Sequence, residues 1–516
     1  MDSQLPAAAG TPAGVERAVL IAAILASSMA FIDSTALNVA LPALQADFHL
    51  AAPDLLWVVN AYALVLAALI LAGGALGDQW GRKRVFMAGI GLFALMSLAC
   101  GLAPGGGWLI AARAGQGLGG ALMVPGSLAL IAAAFDGARR GQAIGTWGAF
   151  STLTTILGPV LGGGLAGAGW WRAIFFINLP LAGAALALLY WRVPADAAPG
   201  PRARIDGPGA ALATVALAGL TYGCTTAATA GWTALPVLVA LGGGIGAGVA
   251  FVVVEARTPQ PMLPLDLFRE RTFSVTNLIT LFLYAALGGA LVFLPLNLVQ
   301  VQGYPAALAG FALVPFALLL TLISRPAGRW ADRVGPRPAL IGGPGLVGLG
   351  FAALALPGLT AGPAAYWTSY FPAIVLLGLG MGLTVAPLTT AVMSAAGADR
   401  AGVASGVNNA VARSAGVLAV AVLGALVLIW FRDALAARTA GLDLPAAAAT
   451  ALQQAAAQLG NTAVPDAVAP AAHPAVAGAI RLAFIDAFRL VVACAAGLAW
   501  LSATLAALLL PRRPAK

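Results

Sequence analysis

The chain has 516 residues, of which 61% are hydrophobic and only 9% are charged. Soluble domains are roughly 45–50% apolar and about 25% charged, so this composition argues against a water-soluble enzyme or a nucleic-acid-binding domain. The formal net charge of +9 is typical of a membrane protein with basic cytoplasmic loops and does not require an acidic partner.

Apolar segments follow one another along almost the whole chain. A bilayer core of about 30 Å needs about 20 apolar residues per helix. The segments lie near 18–40, 54–76, 85–103, 108–134, 142–166, 173–191, 209–229, 234–254, 273–298, 306–327, 338–357, 367–393, 402–430 and 484–510. They predict an all-α integral membrane protein with 14 transmembrane helices and leave no room for a separate soluble domain.

The N-terminal segment imitates a signal peptide, since Arg17 is followed by an apolar run and by a small-residue tripeptide at 28–30. The apolar run continues to Leu44, however, which favours a retained helix. Lys and Arg are concentrated in alternate loops, which the positive-inside rule places in the cytoplasm. These loop residues are Arg82, Lys83, Arg84, Arg139, Arg140, Arg192, Arg202, Arg204, Arg257, Arg269, Arg271, Arg329, Arg333, Arg337 and Arg400. We therefore expect a multi-pass protein of the cytoplasmic (inner) membrane with both termini cytoplasmic, which fits an even number of spans.

One predicted outer segment, about 432–482, is long and rich in alanine. We interpret it as a solvated linker with a short helix. Docking of a periplasmic adaptor on this segment is the alternative interpretation.

A short pattern occurs twice, at 74–84 and at 328–337. In each copy an Asp (Asp78, Asp332) is followed three residues later by Gly and then by basic residues. The two copies lie eight spans apart, which predicts two pseudo-symmetric six-helix bundles with two extra helices between them. The predicted units are 1–192, 193–272 and 273–516, and duplicated halves are common in transporters whose substrate site lies between them.

At these residues the chain resembles the 14-helix drug:proton antiporter group of the major facilitator superfamily. Segment 74–84 is similar to the superfamily's cytoplasmic loop motif. Four more segments resemble the group's other motifs, in the same order along the chain. They are 33–42 in the first helix, 113–117 in the fourth, 158–163 in the fifth and 171–180 at the entry to the sixth. The resemblance covers essentially the whole chain.

Two residues depart from the family pattern. Gln79 stands where the loop motif usually has Arg, and Thr154 stands where the fifth-helix motif usually begins with Gly. The resemblance nevertheless implies a conformational latch at the repeated loops, with a purely topogenic basic loop as the alternative. The latch residues it implies are Gly74, Asp78, Gly81, Arg82, Lys83, Asp332, Arg333 and Gly335.

Asp33 is the only acidic residue that the sequence places deep inside a span, where a carboxylate is costly and should face a cavity or a partner. At 1.5 Å per residue, Asp33 lies about 24 Å along the first helix, and Arg113 lies about 8 Å below the outer end of the fourth. The two residues therefore lie at similar depth on helices that, by resemblance, line the central cavity. We interpret them as the site of proton and cation coupling, and a static ion pair is the alternative.

Glycines and polar residues in other spans suggest helix contacts. Gly158, Pro159, Gly162 and Gly163 allow the fifth helix to bend and pack closely. The resemblance implies that this antiporter motif meets the opposite half and affects leak and direction. A polar group in the thirteenth span predicts a helix-interface network. Its members are Asn408, Asn409 and Arg413.

Aromatic and apolar walls with a single carboxylate would suit a lipophilic cation. Candidate substrate contacts in the spans are Asn60, Tyr62, Gln116, Tyr284, Asn297 and Phe371. The alternative for each is an ordinary place facing lipid or an interfacial belt.

The predicted function is proton-coupled efflux of hydrophobic, often cationic, drugs or other toxic small molecules by alternating access. A narrow carrier that exports one metabolite is the alternative. The expected partners are small-molecule substrates, protons and membrane lipids, with no nucleic acid. The cysteines and histidines are scattered, so the sequence predicts no metal site. It also contains no phosphate-binding Gly-Lys-Ser/Thr loop, which argues against a self-contained ATP-driven pump. We therefore expect no cofactor, with the proton gradient as energy source, and an intramembrane enzyme or a non-transporting scaffold is disfavoured.

Overall fold

The computed structural model describes residues 12–135, 137–195, 206–259, 261–397, 400–442 and 444–511, which form helices and connections without any strand. The long helices are α1 (Ala13–Phe48), α2 (Ala52–Trp80), α3 (Arg82–Gly101), α4 (Gly106–Ala134), α5 (Gly137–Gly167), α6 (Ala173–Arg192), α7 (Gly207–Ala230), α8 (Leu235–Arg257), α9 (Arg271–Leu296), α10 (Ala306–Val334), α11 (Arg337–Leu354), α12 (Phe371–Ala396), α13 (Ala401–Thr439) and α14 (His473–Leu509). Shorter helical pieces lie at Leu265–Arg269, Asn297–Val301, Gly362–Ala365, Tyr366–Ser369, Ala446–Ala455, Ala456–Asn461 and Pro470–Ala472.

Thirteen helices in the described part of the chain are long and apolar enough to cross a membrane. The remaining long helix is α5, in which the apolar stretch Leu157–Gly167 is shorter. The all-α multi-pass membrane architecture is therefore confirmed. The predicted count of fourteen spans is reached when α5 is included.

Several helices extend beyond the predicted apolar segments. Helix α1 has 36 residues and α13 has 39, which correspond to about 54 Å and 58 Å against a bilayer core of about 30 Å. Helix α14 begins at His473 rather than near residue 484. Hydropathy marks only the part of a helix that lies in lipid, and the alanine-rich flanks keep the helix going past it.

The helices pack in a pattern that matches the repeat. Helix α4 packs against α2 and α3, and α1 packs against α5 and α6. In the second half of the chain α12 packs against α10 and α11, and α9 packs against α13 and α14. Helix α7 contacts α2 and α13, whereas α8 packs mainly on α7. The α7–α8 pair is therefore attached to the bundle through one of its two helices.

The buried apolar residues are distributed differently at the two ends of the bundle. At the end that carries His49, here called the His49 end, one cluster joins residues of α1–α4 with residues of α9–α14. At the opposite end, here called the Gly81 end, α1–α6 form one cluster and helices from α9 to α14 form two others. Within the described residues, fully buried apolar side chains of both halves thus join in one cluster at the His49 end, and they form separate clusters at the Gly81 end.

The segment between α13 and α14 packs onto the bundle at the His49 end. The side chains of Leu452 and Leu459 are buried, and the Gln45 amide of α1 donates to the carbonyl of Gln458 at 3.2 Å. The predicted short helix is present at Ala446–Ala455. The prediction of a solvated linker over 432–482 is wrong for these buried residues, because apolar side chains spaced along the segment cover the bundle.

Helices α5 and α10 approach each other at the level of their backbones. A Cβ added to Gly163 would overlap the carbonyl oxygen of Ala306, and one added to Gly310 would overlap that of Pro159. Small residues allow such close approach between membrane helices. This contact links the two halves near the His49 end.

Gly163→Ala and Gly164→Ala form a matched pair that tests this contact. Gly163 has no room for a methyl group, whereas a Cβ on Gly164 would meet nothing within 4 Å. We expect Gly163→Ala to lower the free energy of unfolding in detergent by about 1–3 kcal/mol through overpacking. Gly164→Ala should be neutral or slightly stabilising, since Ala has the higher helix propensity. Equal effects of the two substitutions would contradict the close contact.

Candidate functional site

A buried ion pair joins α1 and α4. The Arg113 guanidinium nitrogen Nη1 lies 2.5 Å from Asp33 Oδ2, and both side chains are almost fully buried, with exposed fractions of 1% and 0%. Arg113 Nε also donates to the carbonyl of Val58 in α2 at 3.1 Å. The structure therefore brings together the two charged residues that helix depth placed at the same level.

Gln116 completes this pair rather than lining an open cavity. Its Oε1 accepts from Arg113 Nη1 at 2.5 Å, and its Nε2 donates to Asp33 Oδ1 at 2.9 Å. Both carboxylate oxygens of Asp33 thus accept a hydrogen bond. The sequence offered Gln116 as a substrate contact, and in this conformation its amide is already engaged. Its spacing of three residues from Arg113 on α4 was the available signal.

Two further side chains in this network were missed from the sequence. Ser97 of α3 accepts from Gln116 Nε2 at 2.8 Å and from the Asn178 amide of α6 at 3.1 Å. All three side chains are buried. The ion pair is therefore connected by hydrogen bonds to α3 and α6 as well as to α1, α2 and α4.

Tyr62 covers the guanidinium of Arg113, whose Cζ lies 4.4 Å from the ring centroid. A cation over an aromatic face is stabilised, the more so when the cation is desolvated. Tyr62 and Tyr284 are also close enough to Arg413 to interact with it electrostatically. Tyr62 therefore contacts a cation of the first half of the chain, Arg113, and is within electrostatic range of one of the second half, Arg413.

The polar side chains of Asn408, Asn409 and Arg413 on α13 form hydrogen bonds with neighbouring residues. Arg413 Nε donates to Asn409 Oδ1 at 3.0 Å, and the Thr280 hydroxyl of α9 donates to Asn408 Oδ1 at 2.6 Å. The first contact lies within α13, and the second joins α13 to α9.

Asn297 and Phe371 contact residues other than the ion pair, and the Asn60 side chain has no polar contact within the described residues. Asn297 is buried and donates to the Tyr370 hydroxyl at 3.0 Å. Phe371 begins α12, and its ring packs on that of Trp367 at 4.8 Å. Asn60 is fully buried, and neither polar atom of its amide has a hydrogen-bond partner within the described residues. Such a group is uncommon in a folded protein.

The two repeated loops adopt the same backbone conformation. Gly81 and Gly335 follow α2 and α10 with φ of 103° and 88°, a region that favours glycine. Gly74 lies against the α4 helix, where a Cβ would be 3.7 Å from that of Pro125. The side chain of Asp78 lies outside the described part of the structure.

The charged residues of these loops lie near the surface at the Gly81 end. Lys83 Nζ donates to the carbonyl of Val193, directly after α6, at 2.7 Å. The side chains of Arg82, Asp332 and Arg333 are exposed. The first loop is therefore tied to the end of α6, which positions the connection that leads to α7.

A separate surface ion pair at this end joins the connection before α9 to the start of α13. Arg400 donates to the Asp266 carboxylate, and this bond lowers the pKa of Asp266 from its ordinary value. The pair therefore adds stability above the ordinary pKa of Asp266, and that stability is lost as the pH falls through the lowered pKa.

The glycines of the fifth-helix motif place α5 directly against α1. A Cβ on Gly158 would overlap the Thr35 hydroxyl, and one on Gly162 would overlap the backbone of Ala36. These contacts lie within three residues of Asp33. Since the same stretch of α5 contacts α10, it connects the helix that carries Asp33 to the opposite half.

Comparison with known proteins adds to this geometry. Residues 23–421 match the family model of the Major Facilitator Superfamily. The chain is 34% identical over 417 residues to the Multidrug resistance protein Stp of Mycobacterium tuberculosis, covering 80% of this chain and 76% of that protein. It is 37% identical over 409 residues to the Cephamycin export protein CmcT of Amycolatopsis lactamdurans, covering 78% and 83%.

A solved bacterial homologue of the human lysosomal transporter Spinster, in an inward-facing and unoccupied conformation, has a similar fold. Its TM-score is 0.67 at 18% sequence identity, with 96% of this chain and 98% of that chain covered. At this identity the likeness concerns the fold alone.

The buried pair can be tested by removing one partner. We expect Arg113→Met to lower the free energy of unfolding in detergent by about 3–5 kcal/mol, because it leaves the Asp33 carboxylate buried without its cation. Adding Asp33→Asn should restore part of this loss. The matched control is Arg172→Met in the exposed Asp47–Arg172 pair, with an expected cost of about 0–1 kcal/mol. Similar costs for both arginines would contradict a strongly coupled buried pair.

Proposed function

The chain belongs to the major facilitator superfamily of transporters, and from this premise we propose that it is a proton-coupled exporter of hydrophobic, often cationic, small molecules. It is a transporter and not an enzyme. The observation that carries the proposal is the fully buried Asp33–Arg113 pair, closed by Gln116. The proposed energy source is the proton gradient, without a cofactor.

The coupling follows from the cost of an unpaired buried charge. Asp33 is satisfied in its ionised form while Arg113 and Gln116 hold both of its oxygens. Separation of the two helices would leave the carboxylate to take up either a proton or a cationic substrate. Because one carboxylate cannot hold both, release of the one accompanies binding of the other, which is antiport without covalent chemistry.

The uneven core supports alternating access. The halves share one apolar cluster at the His49 end and form separate clusters at the Gly81 end. The proposed halves are 1–192 and 273–516, with 193–272 inserted between them. The basic loops lie at the Gly81 end, so we place this end and both termini in the cytoplasm. The proposed conformation is therefore closed to the outside.

The surroundings of the pair suggest the chemistry of the substrate. Tyr62 presents its aromatic face to Arg113, and Tyr284 interacts electrostatically with Arg413. The buried Asn60 amide has no hydrogen-bond partner within the described residues. An aromatic site with one carboxylate and an unsatisfied amide suits a lipophilic cation with a hydrogen-bonding group. We place Tyr62, Tyr284 and Asn60 in the substrate path and leave Phe371 and Asn297 outside it.

A narrow exporter of one natural product is the second candidate. It is favoured by the 37% identity to a relative that is described as a cephamycin export protein. The two candidates share the proton site and differ only in the breadth of substrates.

Asp33→Asn tests the proposed coupling in inside-out vesicles with an imposed proton gradient. In the unmodified protein, addition of a substrate should dissipate the gradient. Asp33→Asn should abolish this response, because an amide cannot exchange a proton, and Asp47→Asn on the exposed outer pair should retain it. Full proton-coupled activity of Asp33→Asn would exclude Asp33 as the proton site.

A substrate panel in the same vesicles separates the two candidate functions. We expect several lipophilic cations of different shape to dissipate the proton gradient if export is broad. A response to one natural product, with none to the cations, would support the narrow exporter. Vesicles that carry Asp33→Asn serve as the control for proton movement that is not coupled to transport.

A further inference from the structure

Two carboxyl groups meet at the base of the α7–α8 pair, away from Asp33. Asp206 immediately precedes α7 and Glu255 lies near the end of α8, with exposed fractions of 9% and 2%. Sequence reasoning did not single them out, because it looked for acids deep inside a span and these two lie at helix ends. The end of α6, which Lys83 contacts at Val193, places this base at the Gly81 end.

One oxygen of each carboxyl group accepts a backbone hydrogen bond. Asp206 Oδ1 accepts from the N–H of Gly209 at 2.8 Å, which caps α7. Glu255 Oε2 accepts from the N–H of Leu263 at 2.8 Å, in the connection between α8 and α9. Each carboxyl group is thereby held by a different part of the chain.

The other two oxygens both lie beside Gly209. Asp206 Oδ2 and Glu255 Oε1 are buried, and neither oxygen has a hydrogen-bond partner within the described residues. A Cβ on Gly209 would lie 2.5 Å from Glu255 Oε1 and 2.6 Å from Asp206 Oδ2. Because both distances start from the same point, the two oxygens lie no more than about 5 Å apart. The missing side chain of Gly209 therefore leaves the space in which they meet.

No cation in the described part of the chain neutralises these groups. Helix α7 carries no charged side chain, and neither does the connection 258–264. Arg257, on the same helix as Glu255, is exposed and does not pair with it, and Asp266 is paired with Arg400. Arg202 and Arg204 precede Asp206 in the segment 196–205, which lies outside the described residues.

Two adjacent ionised carboxylates in a buried place repel each other, and such pairs retain one proton. A calcium ion would need about six to eight oxygen ligands, far more than the two free oxygens here. We propose that Asp206 and Glu255 bind a single shared proton, which joins them as a clasp at a second proton site. This proposal goes beyond the proposed export and does not depend on Asp33.

The clasp joins the two connections that link the α7–α8 pair to the rest of the chain. Asp206 ends the connection from α6, and Glu255 holds Leu263 in the connection to α9. Loss of the proton would place two negative charges side by side and loosen both connections. The clasp would therefore respond to the pH at the Gly81 end.

Infrared spectroscopy of the full-length protein in lipid nanodiscs can detect the shared proton. A protonated carboxyl group has a C=O stretch that is distinct from the carboxylate bands, and it should be present at neutral pH and lost at high pH. Asp206→Asn and Glu255→Gln should each abolish this band, because one proton is shared by both residues. Asp33→Asn should retain it, which separates this proposal from the proposed function.

Gly209→Ala and Gly207→Ala form the matched control, since both keep every carboxyl group. A methyl group on Gly209 would separate the two oxygens, whereas a Cβ on Gly207 would meet nothing within 4 Å. We expect Gly209→Ala to shift or remove the band and Gly207→Ala to leave it unchanged. The proposal is overturned if the band survives in either single carboxyl variant, or if both glycine variants leave it unchanged. A band that disappears on addition of calcium at neutral pH would also overturn it, in favour of a metal site.

Discussion

The cost of an unpaired charge in a buried place constrains the rest of the structure. Asp33 of α1 and Arg113 of α4 form an ion pair, and Gln116 donates a hydrogen bond to the second carboxylate oxygen of Asp33. Ser97 and Asn178 then hold Gln116. Since these side chains come from α1, α3, α4 and α6, the charge state of one carboxylate is tied to the relative positions of four helices.

Close contacts at glycines connect the positions of these helices to the second half of the chain. Gly158 and Gly162 of α5 lie against α1 close to Asp33, and Gly163 lies against α10. Contacts at backbone level leave no soft side chain to absorb a displacement, since packed interiors transmit strain. A movement of α1 that accompanies separation of the ion pair must therefore shift α5 or break its contact with α10, which lies near the His49 end of the bundle.

The sequence was sufficient for features set by composition and by position along a helix. Hydropathy located the spans, and the rise per residue placed Asp33 and Arg113 at one depth. It did not provide the rotation of each helix about its axis, which decides that Gln116 points to Asp33 and that Phe371 packs on Trp367. Ser97 was missed because one serine in an apolar span carries no signal by itself. Helix ends such as His473 were missed because a helix continues beyond its apolar part.

Asp206 and Glu255 show a different limit of reasoning from one chain position at a time. They lie at the ends of two helices, 49 positions apart in the sequence, and the packing of α8 on α7 brings them together.

The environment of Asp206 and Glu255 also differs from that of Asp33 in one decisive respect. Asp33 has Arg113 as a counter-ion, so in the proposed mechanism its proton uptake follows the separation of the two helices. The Asp206–Glu255 pair has no counter-ion in the described residues, so the proposed shared proton would be retained in the packed conformation and lost as the pH at the Gly81 end rises. As proposed, the two carboxyl sites of this fold would respond to two different quantities, the position of the helices and the acidity at the Gly81 end.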